Sequence, residues 1–188
     1  MHMLLLEDYK VDWNTHYMNG CHWVREKSKD QSTKVGCIIV GPDHEVRSTG
    51  YNGLPRGVND SVEKHPERHD RVKDKYSWYA HAEENAIANA ARMGTPLKGC
   101  TAYITAMPCP PCARMLVNAG IEEVYWAMDP SFVSTPERKI AFEKMLSTSK
   151  AILREAGVVF ISLVLTVNNI WVIRTNSTNT TTGSCAVD

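Results

Sequence analysis

Two short stretches, HAEENAI at 81–87 and PCPPC at 108–112, restrict what this chain can fold into more than anything else in it. Each marks the start of a helical pattern. In the first, Ala82, Ala86, Ala90 and Met93 recur at near-helical spacing, Arg92 falls in the last turn and Gly94 ends it. Alanine lets a helix pack close against a sheet, whereas His81 and Glu83 in the first turn need partners. In the second, Pro108, Pro110 and Pro111 suit a rigid approach and first turn. Cys109 and Cys112 lie three apart, so both sulfurs share one helix face, where the positive end of the helix dipole favours thiolate.

Two thiolates and an imidazole are standard zinc donors. His81, Cys109 and Cys112 make three, one short of a closed structural cage, and an open fourth position is where a catalytic zinc takes water. Glu83, two residues from His81, can lie near that water without being a ligand. The imidazole would bind metal and the carboxylate would move protons. Each half alone is weak: a lone CxxC is as often half of a structural zinc site or a redox pair. Together, each after a strand and each opening a helix, they match the H-x-E…P-C-x-x-C signature of zinc deaminases.

The bulk numbers narrow the partners. A chain of 188 residues, 43% hydrophobic and 22% charged, is one ordinary globular domain. Lysine plus arginine equals aspartate plus glutamate at 21 each, which argues against gripping a polynucleotide backbone and leaves small anions open. Six cysteines are too few for a disulfide scaffold. The opening MHMLLLEDYK has an apolar run of only three residues, so no secretory leader is expected, and the sequons at Asn59, Asn176 and Asn179 then mean little. The longest apolar run, VVFISLVLTV at 158–167, is about half a membrane span and reads as a core strand. No membrane contact and a reducing, cytoplasmic setting are expected.

Along the chain, residues 12–27 read as a helix with Trp13, Tyr17, Cys21 and Val24 on one face. Strands follow at 35–40 and 46–51, joined by the turn GPDHE and antiparallel to each other. NGLPRGVND is a loop, and 60–76 is strongly charged. Then come the first marked helix, a strand at 100–105, the second marked helix ending at Gly120, a strand at 122–127, a helix from Pro136 to Ala156 and a strand from Gly157. This order argues for an α/β layered domain with a mixed sheet. The domain spans 1–165. Residues 166–188 form a C-terminal tail, polar and disordered from about 175, where TNSTNTTTGS is of low complexity.

KVGCIIV, TGYNGLPRG, HAEENAI and PCPPCARMLVNAGIEEVYW together resemble the cytidine deaminase superfamily, and within it the deoxycytidylate (dCMP) deaminase family, over about residues 12–163. The resemblance implies a three-layer α/β/α fold with a five-stranded mixed sheet. It implies one catalytic zinc on His81, Cys109 and Cys112, with Glu83 as proton shuttle in hydrolysis of dCMP to dUMP and ammonia, a supply step for thymidylate precursors. Asn52 would hold the sugar 3′-hydroxyl, although an Asn-Gly pair is also a plain turn signal. Ala82 would offer its backbone N–H to the base carbonyl.

Members of this branch are often homohexamers activated by dCTP and inhibited by dTTP. The matching allosteric stretch is Asn52, Gly53, Arg56, Gly57 and Asp60, where an arginine suits phosphate and an aspartate suits Mg2+. Arg92 matches an arginine that in some relatives lies at a subunit contact near that site, while a helix C-terminus is by itself reason enough for a cation there. A second zinc, found in some relatives, is not expected: its region offers only His65 and His69. Lys34, Arg56, Arg68 and Arg71 are unranked phosphate candidates, and Tyr125, Trp126 and Phe132 are candidates for an aromatic over the nucleotide. The rival readings are deamination of dCTP or another free cytosine compound, and a zinc module with no enzymatic activity.

Overall fold

A computed structural model describes residues 11–70, 72–127, 136–166 and 170–173. Arg71, Phe132, Cys185 and the polar tail from 174 lie outside the described residues. The elements are α1 (Trp13–Arg25), β1 (Gly36–Val40), β2 (Val46–Tyr51), a 3-10 turn (Pro66–His69), α2 (Lys75–Trp78) and α3 (Ala82–Met93). They continue with β3 (Thr101–Ile104), α4 (Pro110–Asn118), β4 (Glu123–Ala127), α5 (Pro136–Glu155), β5 (Val159–Leu165) and β6 (Trp171–Ile173). The strands form one mixed sheet in the order β2-β1-β3-β4-β5-β6. β1 is antiparallel to both β2 and β3, β3, β4 and β5 run parallel, and β6 returns antiparallel to β5.

Alternation along the central strands sorts the side chains into two cores. Cys37, Ile39, Ala102, Ile104 and Val124 face α3, α4 and α5, where Ala82, Ala86, Ala90, Ala113, Leu116 and Leu153 meet them. Ile38, Val40, Tyr103 and Ala127 face α1, meeting Tyr17, Met18, Cys21 and Val24. This is the three-layer α/β/α arrangement expected, with six strands rather than five. The extra strand is β6, from the stretch assigned to the tail. It is three residues long, too short to show a strand period, and α1 holds it: the Trp171 amide donates to Thr15 Oγ1 at 3.0 Å and its indole to Asn19 Oδ1 at 3.0 Å.

Two apolar positions depart from the expected stripes. Met93, in the last turn of α3, is 72% exposed. Trp13 is 51% exposed and instead stacks on His44, ring centroids 4.2 Å apart. The strand from the longest apolar run has only Leu163 fully buried, with Val159 and Leu165 exposed near the sheet's end. Among the described residues no helix is long and apolar enough to cross a membrane. The five described cysteines are free.

Two glycines set how closely the layers approach. A Cβ on Gly50 of β2 would overlap the backbone of Ala82 and Ala86, so the first turn of α3 rests directly on β2. A Cβ on Gly36 would overlap the Cys21 carbonyl and come within 2.9 Å of the Arg25 nitrogen, which fixes α1 against the start of β1. The end of β2, the start of β1 and the end of β3 therefore share one edge of the layers. Thr105, just beyond β3, closes that edge: its amide donates to the Gly36 carbonyl at 3.0 Å and its hydroxyl accepts from the Gly36 amide at 3.0 Å.

Candidate active site

The carboxyl ends of parallel strands are where open α/β sheets place their ligands, and both marked helices begin there. β3 leads through the buried Pro108 to Cys109, the N-cap of α4, with Pro110 and Pro111 in its first turn. The chain after β2 reaches the same place by a backbone bridge. The Gly53 amide donates to the Ala80 carbonyl at 3.1 Å and the Ala80 amide to the Gly53 carbonyl at 2.9 Å. His81 follows as N-cap of α3, and the Glu84 carboxylate accepts from its amide at 2.6 Å, fixing the turn.

His81 Nδ1 lies 3.3 Å from Cys109 Sγ and 3.3 Å from Cys112 Sγ. The three donor atoms all lie within 4.8 Å of one another, and they form the only metal-competent cluster of His, Cys, Asp and Glu found among the described residues. A tetrahedral zinc with bonds of about 2.0 Å to nitrogen and about 2.3 Å to sulfur needs donor separations of roughly 3.6–3.8 Å. The two N–S separations are within a few tenths of an ångström of that. Its protonation points the same way. Cys109 is held well below the usual thiol range by a hydrogen bond from Cys112 and by His81, against the effect of burial. Cys112 is driven far up by its hydrogen bond to Cys109 and by burial. Two adjacent thiolates are thus not stable alone; a divalent cation in place of the shared protons removes the conflict. The donor set fits zinc.

Glu83, in the same first turn as His81, is 4% exposed. Burial raises its carboxyl to about 7, with His81 pulling the other way. A carboxyl that titrates near neutrality suits proton transfer in both directions. His81 itself is raised to about 9 by its hydrogen bond with Cys109, against burial. The backbone N–H groups of Ala82, Glu83 and Glu84 fall in the first turn of α3, where helical amides have no intrahelical acceptor.

The remaining expected site residues divide. Asn52 is buried, and its side chain is largely engaged. Nδ2 donates to Asp30 Oδ2 at 2.9 Å and to the Thr33 carbonyl at 2.8 Å, while Oδ1 accepts from the Val35 amide at 2.8 Å. One acceptor lone pair on Oδ1 remains. Arg56 is exposed and donates to Asn89 Oδ1 on α3 at 2.9 Å. Asp60 pairs with Lys29 at 2.7 Å. Gly57 has φ +81° with open space around it, and Arg92 lies exposed one turn beyond Asn89.

Lys34 pairs with Glu26 at 3.1 Å, and Arg68 lies 4.2 Å over the Trp78 ring. His65 and His69 do not converge: one contacts Glu67 at 3.3 Å, the other the Tyr79 hydroxyl at 2.6 Å. Tyr125 stacks on Tyr103 and Trp126 on Phe160. The sequence reading missed Asp30 and Lys75, a buried ion pair beside Asn52. Neither carries a periodic or motif signal; only the run Asp30-x-Ser32-Thr33 hints at a carboxylate capping its own turn.

Comparison with known proteins gives the same picture. Residues 11–128 match the family described as the cytidine and deoxycytidylate deaminase zinc-binding region. The human deoxycytidylate deaminase is 36% identical over 126 residues, 65% of this chain and 68% of that protein. The deoxycytidylate deaminase of Mycobacterium phage D29 is 32% identical over 126 residues, 62% of this chain and 95% of that protein. The dCMP deaminase of cyanophage S-TIM5, solved in complex with dCMP and dUMP, superposes with a TM-score of 0.60 at 22% identity, covering 86% of this chain and 99% of that one. At that identity the likeness speaks for the fold.

Proposed function

We propose that this chain, which belongs to the cytidine and deoxycytidylate deaminase family, hydrolyses the 4-amino group of dCMP to give dUMP and ammonia. The observation that carries the reading is the convergence of His81, Cys109 and Cys112 at two helix starts, with the buried Glu83 in the same turn as the histidine. His81, Cys109 and Cys112 hold the zinc, which when bound supplies the Lewis acidity that makes a water nucleophilic at neutral pH. Glu83 takes the proton released as the water oxygen adds to C4 and delivers it to N3. It then carries the second proton to the departing amine, so that C4 keeps the oxygen and ammonia leaves. The Ala82 amide donates to the base carbonyl, and the free lone pair of Asn52 Oδ1 accepts from the 3′-hydroxyl. An aqueous cytoplasm that keeps Cys109 and Cys112 reduced is the setting this chemistry needs.

The reading extends to regulation by dCTP and dTTP and to a homohexamer. The loop Gly53–Asp60, with Arg56 and the open Gly57, supplies an exposed cation and accessible backbone for a triphosphate, and Asp60 a carboxylate for its Mg2+. Arg92, one turn beyond the Arg56 partner Asn89 on α3, is the residue assigned to contact with a neighbouring subunit.

Ammonia release from dCMP, measured beside dCTP, deoxycytidine and a short oligonucleotide, tests the proposal. Turnover of dCMP above the other three is expected. Faster release from dCTP would reassign the phosphate preference, and release from none, in zinc-loaded protein, would overturn the reading.

A further inference from the structure

The buried pair Asp30–Lys75 has no part in the chemistry above. Asp30 is 3% exposed and Lys75 4%, and the two side chains are in direct contact. A buried ion pair adds little stability over apolar side chains of the same size, so its distinguishing property is where it directs hydrogen bonds. Asp30 Oδ1 accepts from the Ser32 amide at 2.8 Å, the Ser32 hydroxyl at 2.8 Å and the Thr33 amide at 3.1 Å. Oδ2 accepts from Lys75 Nζ and from Asn52 Nδ2, the latter at 2.9 Å. Lys75 Nζ also donates to the Ser32 hydroxyl at 2.6 Å. Asn52 Nδ2 thus meets two acceptors, Asp30 Oδ2 and the Thr33 carbonyl at 2.8 Å, and the amide presents its N–H groups to them. The other end of that amide must then be the oxygen, which is what the Val35 amide requires.

Lys75 is also joined to the metal centre by the chain. Its carbonyl accepts from the Tyr79 amide at 2.9 Å, and Ala80 pairs with Gly53, the neighbour of Asn52. The ion pair therefore spans from the stretch leading into His81 to the residue assigned to the sugar.

We propose that Asp30 and Lys75 are positioning residues for the nucleotide sugar: the ionised pair anchors Asn52 Nδ2 and holds the rotamer of an amide whose way round the Thr33 carbonyl and the Val35 amide set, so that an acceptor oxygen meets the 3′-hydroxyl. The inference rests on the sugar role of Asn52 proposed above. If Asp30 loses its charge, Nδ2 loses its charge-assisted partner, the side chain shifts, and the acceptor oxygen moves off the 3′-hydroxyl.

The test compares kcat/KM of zinc-loaded protein on dCMP and on its 3′-deoxy analogue for wild type, Asn52→Ala, Asp30→Asn, and the double variant. Wild type prefers dCMP; Asn52→Ala and Asp30→Asn each lower that preference by about tenfold, mainly through KM, and Asp30→Asn adds less than about twofold on the Asn52→Ala background. An equal loss on both substrates, or the same factor on both backgrounds, would show a structural role alone and overturn the inference. If Asn52→Ala keeps the wild-type preference, the sugar role of Asn52 fails and the inference falls with it. If Asp30→Asn does not fold, Lys75→Met takes its place, with Lys75→Arg expected to restore the preference. Should wild type prove inactive on dCMP, hydrogen exchange of the Asn52 carboxamide decides: protection lost in Lys75→Met supports the positioning, and protection unchanged refutes it.

Discussion

The helix starts that hold His81, Glu83, Cys109 and Cys112 and the loop from Asn52 to Asp60 lie next to each other, yet the chain treats their polar groups in opposite ways. At the helix starts the donors face one another and conflict: one thiol is driven down, its neighbour far up, and a buried carboxyl is raised to about 7. In the loop the charged groups already have partners within the chain, Arg56 a hydrogen bond to the neutral Asn89 and Asp60 an ion pair with Lys29. An arrangement whose groups oppose each other until a cation arrives is one built around that cation. A loop whose groups already have partners holds its shape without a ligand, and the effects of altering it should be smaller.

The largest effect is therefore expected at Glu83. Glu83→Gln keeps the shape of the buried side chain and leaves His81, Cys109 and Cys112 untouched, so metal analysis should still find one zinc per chain. The glutamine cannot carry a proton, and turnover of dCMP should fall by about 10²- to 10⁴-fold, the usual weight of positioned acid–base catalysis. Near-normal turnover would remove Glu83 as the proton carrier, and two zinc ions per chain would contradict the absence of a second ligand cluster among the described residues.

This site was legible in the sequence because helix starts place donors by short-range rules: a cap, a proline first turn and a spacing of three are local facts. The central strands were legible for the same reason, β-branched runs bounded by turns. What was not legible depends on distant contacts. β6 is a three-residue strand that exists because Thr15 and Asn19 on α1 hold Trp171. Trp13 is half exposed and stacks on His44 of the β1–β2 turn as well as on Tyr17, a contact with His44 that only folding brings. Lys75 reads as one more cation in a charged stretch, and only folding brings it to Asp30.

The Asp30–Lys75 pair sharpens the comparison, because it is matched like the loop but buried like the metal centre. Burial pushes the Asp30 carboxyl up, yet Lys75 and the Ser32 and Thr33 donors outweigh it and hold the group below the ordinary carboxylate range. The stability it contributes is thus present above the unfolded-state value of about 3.9 and is lost as pH falls through the lower folded value. Lys75→Met should cost roughly 3–5 kcal/mol at neutral pH, because it leaves a buried carboxylate without its cation. Chemical denaturation at a series of pH values should show that deficit narrowing below about pH 4, as wild type loses the same pairing. A deficit that stays constant into acid would mean that the lost interaction is packing of the lysine stem and not charge.

Arg56→Ala should have the smallest effect on the fold. The guanidinium is exposed and makes a hydrogen bond to Asn89, so stability should change by no more than about 0.5 kcal/mol. Its expected weight lies in ligand binding. If the loop takes a nucleoside triphosphate, Arg56 exchanges Asn89 for a phosphate oxygen, and losing a charge-assisted hydrogen bond of about 1.5–3 kcal/mol weakens the ligand by roughly tenfold or more. Equilibrium binding of dTTP with Mg2+ to wild type and Arg56→Ala reads that difference directly. Binding that survives unchanged would leave Arg56 as a tie between the loop and α3, and would put the whole Gly53–Asp60 stretch on the structural side of the comparison.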